Sequence, residues 1–269
     1  AYMPSSQALL DEKRVEDGYK WYRNLRRLQW TWQGLQPIEI EGVLAAMASS
    51  KHSRTHDEWL DTVMGYHSGN WNFEWTKLGM LHQKRAQQLK GEEAADELFN
   101  ASLCYSIAGY PHLKNDTLAA QAQVLAGNAY EEAAKQTKYT VKRLEIPHQN
   151  KKIVAHLHLT RTDEPQPVVM VSAGLDSLQT DMWRLYRDFL APNNIAMLTL
   201  DMPSIGHSSH WPLTEDSSCL HQAVLNHLPN IPWVDRFHAA VMGFRFGGNV
   251  ALRLSFLEPS RLKACVALG

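Results

Sequence analysis

With 269 residues, of which 44% are hydrophobic and 20% charged, the chain has enough apolar material for one large or two ordinary cores, which argues against a disordered or fibrous protein. Its net charge of -1, with lysines and arginines interspersed among the acidic residues, gives no support to phosphate-backbone binding, which needs clustered positive charge. No apolar run approaches the ~20 residues of a membrane-spanning helix, residues 1–10 lack a charged-then-apolar leader pattern, and Cys104, Cys219 and Cys265, far apart and odd in number, suit a reducing cytoplasm.

Residues 1–136 read as helices alone, because apolar side chains recur at three- and four-residue steps without strand alternation. Trp21, Leu25, Leu28 and Trp32 mark one stripe. Pro37 suits the first turn of a second helix, where its missing N–H costs nothing; the polar stretch 49–56 ends that helix, and Asp57 is placed to cap the next. Longer helices are expected over 71–90, 92–109 and 116–136, with Gly91 and Pro111 interrupting the pattern and Asn115 or Asp116 as a cap. Small residues within 100–105 and 126–130 permit close helix packing. Trp59, Trp71 and Trp75 read as helical core rather than a sugar platform.

The pattern changes near Thr137. Residues 139–146 and 152–159 alternate about the turn residues Pro147-His148-Gln149-Asn150, which predicts a β-hairpin opening a second domain. Short apolar runs at 167–172, 195–200, 238–243 and 262–268 alternate with segments that can hold helices, an arrangement that builds a parallel sheet with helices on its faces. The expected division is an all-helical domain over 1–136, acting as lid or docking region, followed by an α/β domain over 137–269.

The most informative stretch is 239–250, a buried strand running directly into a helix with the glycine spacing of Gly-x-Ser-x-Gly. Gly243 and Gly247 flank a central residue that is Arg245. A guanidinium stays protonated and presents donors only, so a serine-type acyl transfer is closed at this position. What remains is an anion site over a helix N-terminus, able to hold a small carboxylate through two parallel hydrogen bonds.

Upstream, the loop after the strand 167–172 contains Gly174, Leu175 and Asp176, where this kind of turn receives one oxyanion-hole N–H; Leu175 and Phe246 are the backbone candidates, with Gly174 and Gly247 beside them. Asp176 is placed to orient Arg245, or to exchange a proton if partial burial raises its pKa. A plainer reading stands alongside: Arg245 pairs with Asp176 or Asp201 and plugs a dead pocket. Ser172, Ser177, Ser204 and Ser208 read as turn or cap residues, since none is central to a glycine-flanked elbow. His207, His210, His221 and His227 lack the spacing and carboxylates of a metal site, and Cys219 and Cys265 read as small core hydrophobes. No metal or cofactor is expected.

Taken together, 172–181, 195–208 with its Asp201-Met202-Pro203-Ser204-Ile205-Gly206-His207-Ser208 loop, 232–235 and 243–249 resemble the fermentation/respiration switch protein family of esterase-like α/β hydrolases. The helical segments 65–71 and 108–114 match as well. The resemblance implies an α/β-hydrolase fold after an all-helical region, a cytoplasmic bacterial protein, and a carboxylic-ester hydrolase acting on a small ester or carboxylate such as a 2-oxo acid. It also implies a regulatory partner, the glucose-specific IIA component of the phosphotransferase system, and a second activity, cofactor-independent decarboxylation of pyruvate using Arg245 and Asp176. The alternative it leaves open is a catalytically inactive interaction protein. Because the family and the fold continue through further strands, the α/β domain is expected to be the N-terminal part of a truncated hydrolase domain, with the acid and histidine of a triad beyond Gly269.

Overall fold

The computed structural model describes residues 20–269; residues 1–10, read above as lacking a leader pattern, and the first part of the helical domain expected over 1–136 lie outside the described residues. The first half contains α1 (Arg27–Gln33), α2 (Pro37–Ala48), α3 (Trp71–Ala86), α4 (Gly91–Gly109) and α5 (Thr117–Gln136). The long helices form where the apolar period predicts them, and their ends follow from side-chain chemistry. Pro37 opens α2, the Asn70 side chain accepts from the Phe73 N–H at 3.2 Å ahead of α3, and Asp116 accepts from the Ala119 N–H at 3.0 Å ahead of α5.

Trp30, Trp71 and Trp75 are buried together between α1, α3 and α4, whereas Trp59 lies outside that core, edge-on to Tyr22. The small residues of α4 and α5 bring those helices close enough for Ser102 Oγ to donate to the Ala126 carbonyl at 2.8 Å.

Two local expectations are corrected. The stripe beginning at Trp21 does not form, because residues 20–26 are not helical: the buried carboxylate of Asp61 accepts the Tyr22 and Arg23 N–H groups at 2.8 and 3.0 Å and so competes with helix formation. Once α1 begins, Leu28 and Trp32 face solvent and Trp30 faces the core. Asp57 caps no helix; residues 57–62 are turns, and Arg54 and Val63 form an isolated antiparallel bridge.

The second half carries β1 (Thr140–His148), β2 (Lys151–Leu159), β3 (Gln166–Ser172), β4 (Ala196–Leu200), α6 (Cys219–His227), β5 (Val234–Phe244), α7 (Phe246–Leu257) and β6 (Leu262–Leu268). The six strands form one sheet in the order β1-β2-β4-β3-β5-β6. It is mixed rather than wholly parallel. Gln149 and Asn150, both at positive φ, make a two-residue turn that reverses β2 against β1, and β2 then pairs antiparallel with β4; β3 through β6 are parallel. Helices and sheet share a core, since Ala101 and Tyr105 of α4 and Ala126 and Ala129 of α5 pack in one cluster with Leu157, Met170 and Leu198. Among the described residues no helix is long and apolar enough to cross a membrane.

Candidate functional site

Strand β5 turns into α7 at a single residue, Arg245, whose φ of 55° and ψ of -121° lie where non-glycine residues rarely go. Such a conformation costs on the order of 1–3 kcal/mol and persists only where surrounding packing imposes it. Here the Arg245 N–H is tied to the Leu268 carbonyl of β6 at 2.6 Å, and the flanking glycines admit backbone contact that no side chain tolerates. A Cβ on Gly243 would lie 1.8 Å from the Gly247 carbonyl oxygen, and one on Gly247 would lie 2.4 Å from that of Ser172. The elbow is thereby pressed against the loop that follows β3.

That contact delivers Arg245 to Asp176. Nη1 donates to Asp176 Oδ2 at 2.9 Å and Nη2 to Gln29 Oε1 at 3.3 Å, while Asp201, the other acid considered, is occupied elsewhere. Asp201 accepts from Gln179 N, Gln179 Nε2 and His207 N at 2.7, 3.0 and 2.8 Å. Gly174 lies beneath the pair, and a Cβ there would come 3.2 Å from the Arg245 Cβ. Leu175 and Phe246 are half-buried against the sheet core, with the Phe246 N–H in the first turn of α7, where no intrahelical acceptor exists. The predicted site residues thus converge on one end of the sheet.

Sequence reasoning missed the residue that completes the cluster. Arg26, just before α1, places Nη2 on the same Asp176 oxygen, with its guanidinium 4.6 Å from the centre of the Tyr110 ring. Behind this lies a recess of about 20 Å³, roughly one water in capacity, whose walls include Arg26, Tyr110, His112, Asp176, Ser177 and Asp181. Arg245 stands at its rim, 42% exposed, rather than in its lining. Nothing local in the sequence marks Arg26 or Asp181, because each is brought in by tertiary packing.

The titration states correct one expectation. Burial alone would push the Asp176 carboxyl up, but the Arg26 hydrogen bond and the charges of Arg26 and Arg245 hold it below the usual carboxylate value. Asp176 is therefore ionised at neutral pH. Asp181 behaves oppositely: complete burial pushes it up to about 7 despite donors from Ser106 Oγ and Leu178 N, and its Oδ1 has no partner among the described residues. His112 is driven down to about 4 by burial and is neutral.

Ser172 and His221, which the sequence gives no reason to associate, are hydrogen-bonded at 2.9 Å behind the elbow. Both are buried and neither borders the recess, so the contact is a packed polar pair without access to a substrate. Among the described residues no group of three acids, histidines or cysteines is placed to hold a metal ion.

Comparison with known proteins places this geometry in context. The family model described as "Esterase FrsA-like" matches residues 1–269. The chain is 70% identical over 268 residues to a protein named Esterase FrsA from Vibrio parahaemolyticus, covering all of this chain and 65% of that one. It is 51% identical over 252 residues to the Yersinia enterocolitica protein of the same name, covering 93% of this chain and 61% of that one. The chain therefore spans a little under two thirds of the curated relatives it matches.

Among solved structures, 2,6-dihydroxy-pseudo-oxynicotine hydrolase superposes with a TM-score of 0.71 at 20% identity, over 89% of this chain and 63% of that one. AbyA5 superposes with a TM-score of 0.59 at 22% identity, over 72% and 53%. At these identities the likeness establishes the fold, that of the α/β hydrolases.

Proposed function

The chain belongs to the FrsA-like esterase family, the fermentation/respiration switch proteins, and from that premise we propose that its elbow site binds a small carboxylate or carboxylic ester, such as a 2-oxo acid, against Arg245. The supporting observation is one of charge. Among the described residues Arg26 and Arg245 share a single carboxylate, Asp176, so two positive charges against one negative leave one positive charge uncompensated beside the N-terminus of α7. Helix N–H groups favour an anion at the same place.

On this reading the family's esterase chemistry does not run through an elbow serine, and Arg245 binds and orients the ligand. Asp176 acts as the resident competitor. Its carboxylate already sits where a ligand carboxylate would sit, so binding requires the Arg245–Asp176 contact to part and the recess behind it to open. Being ionised, Asp176 is equipped to accept a proton, while Asp181 is the acid behind it that still carries one near neutral pH. Turnover of p-nitrophenyl acetate and consumption of pyruvate by the chain and by Arg245→Ala test this; turnover of either that is indifferent to the substitution rejects the role.

The tightness of the recess favours a second reading, a regulatory protein that binds the glucose-specific IIA component of the phosphotransferase system and turns nothing over. Capture of purified IIA component by the whole chain, with neither substrate consumed, selects that reading.

A further inference from the structure

The loop 176–181 has two sides. Asp176, Ser177 and Asp181 face the recess at the elbow, and the intervening Leu178, Gln179 and Thr180 face a second, larger cavity of about 240 Å³. That cavity lies between α5 and the loop after β4, with Val124 and Gly127 on one wall and Asp201 and His207 on the other. No part of the elbow chemistry uses it.

Its lining specifies what it takes. Among the described residues no lysine or arginine borders it, and its one carboxylate, Asp201, has both oxygens engaged by the three N–H donors of Gln179 and His207, so an ionised ligand of either sign finds no free counter-charge. The Gln179 amide is also spent, donating to the Val154 carbonyl at 3.2 Å and meeting His156 Nδ1 at 2.9 Å through its oxygen. Gln123 Nε2 meets His112 Nδ1 at 3.2 Å and Ser209 is exposed, and two further polar groups stand out. The His207 imidazole has no hydrogen-bond partner among the described residues, and the buried Thr180 Oγ1 has none either.

Opposite the imidazole, Gly127 leaves the α5 wall bare: a Cβ there would lie 3.7 Å from His207 Nε2 and, among the described residues, within 4 Å of no other atom outside its own stretch of α5. The volume is below the ~300–1,000 Å³ of drug-sized pockets and suits a fragment-sized molecule. We propose that this cavity is a binding site for an uncharged small molecule with an apolar body and a single hydroxyl or carbonyl group that hydrogen-bonds to His207.

The site is independent of the elbow reading and is tested without reference to activity. Calorimetric titration of the whole chain with benzyl alcohol, and with benzoate as its anionic counterpart, should give saturable binding of the alcohol at least about tenfold tighter than of benzoate. Gly127→Leu fills the cavity while raising helix propensity and should weaken benzyl alcohol at least about tenfold; Ala120→Leu, on the same wall, serves if that variant does not fold. His207→Phe keeps the apolar body's contacts and should weaken binding by about threefold or more. Arg245→Ala should leave the alcohol's affinity unchanged. Absence of saturable binding to the wild type, equal affinity for benzoate, or an affinity indifferent to both cavity-filling variants overturns the proposal.

Discussion

Arg245 donates to Oδ2 of Asp176 at 2.9 Å across 69 positions of sequence, and the same oxygen also receives Arg26. The two contacts differ in setting, because the Arg245 side chain is 42% exposed and that of Arg26 is 9% exposed. An exposed pair contributes ~0–1 kcal/mol, whereas breaking a buried one strands a charge. Double-mutant cycles on urea unfolding should give a coupling of about 0.5 kcal/mol for Arg245–Asp176 and about 2 kcal/mol for Arg26–Asp176. A larger coupling for Arg245 would show that burial does not rank them.

The elbow itself should be intolerant of a single methyl group. Because a Cβ on Gly243 would sit 1.8 Å from the Gly247 carbonyl oxygen, the Gly243→Ala protein must distort the turn. A loss of roughly 3 kcal/mol or more is expected, measured as a lowered thermal midpoint. Gly42→Ala in α2, where no described residue outside its own stretch of helix lies within 4 Å of the added methyl, is the control and should be neutral or slightly stabilising. Equal melting of both variants would contradict the sharp turn.

Asp181 supplies a pH dependence of defined sign. Its folded pKa of about 7 stands above the ordinary 3.8, so between those values the folded state holds a proton that the unfolded chain has released. Its contribution is therefore full below the lower value and is lost as pH rises through the higher, at up to about 1.4 kcal/mol per unit. Asp181→Asn removes the titration. The stability difference between Asp181→Asn and wild type should grow in favour of the variant from about pH 4 to pH 7 and then level off. A difference that stays constant with pH would mean that the carboxyl is not held protonated.

Buried histidines act in the opposite direction. Burial lowers His112, His156 and His221 from 6.5 to about 4 and His158 to about 3, so the folded state keeps them neutral where the unfolded chain protonates. The stability they contribute is present above the unfolded value and disappears as pH falls through the folded ones, at about 1.4 kcal/mol per unit for each. His158, hydrogen-bonded to the Tyr130 hydroxyl at 2.6 Å and to the Met197 carbonyl at 3.1 Å, is the clearest case. The midpoint of urea unfolding should fall steeply between about pH 6.5 and pH 4, and less steeply in His158→Gln.

Much of the fold is written locally. The 3.6-residue period locates α3, α4 and α5, alternation locates β1 and β2, and the spacing of Gly243 and Gly247 locates the elbow, because each is a near-neighbour constraint on the backbone. Where a distant group intervenes, the local signal misleads: Asp61 holds residues 22 and 23 out of the helix that Trp21 and Leu25 suggest. The hairpin fixes the direction of β2, but only the pairing of β2 with β4 makes the sheet mixed. In the site, Arg245 and Asp176 are legible from motif spacing, whereas Arg26 reaches Asp176 from 150 positions away and the raised pKa of Asp181 depends on its complete burial, which outweighs the donors from Ser106 and Leu178. Charge balance at the elbow, on which the proposed ligand rests, is thus a property of the folded chain.

The most direct test is calorimetric titration of pyruvate into the wild type, Arg245→Ala and Asp176→Asn near pH 7. An anion site with one uncompensated positive charge predicts saturable binding to the wild type, at least about tenfold weaker binding to Arg245→Ala, and tighter binding to Asp176→Asn, where the resident carboxylate no longer competes. Wild-type affinity that is unchanged in Arg245→Ala, or weakened in Asp176→Asn, would contradict it.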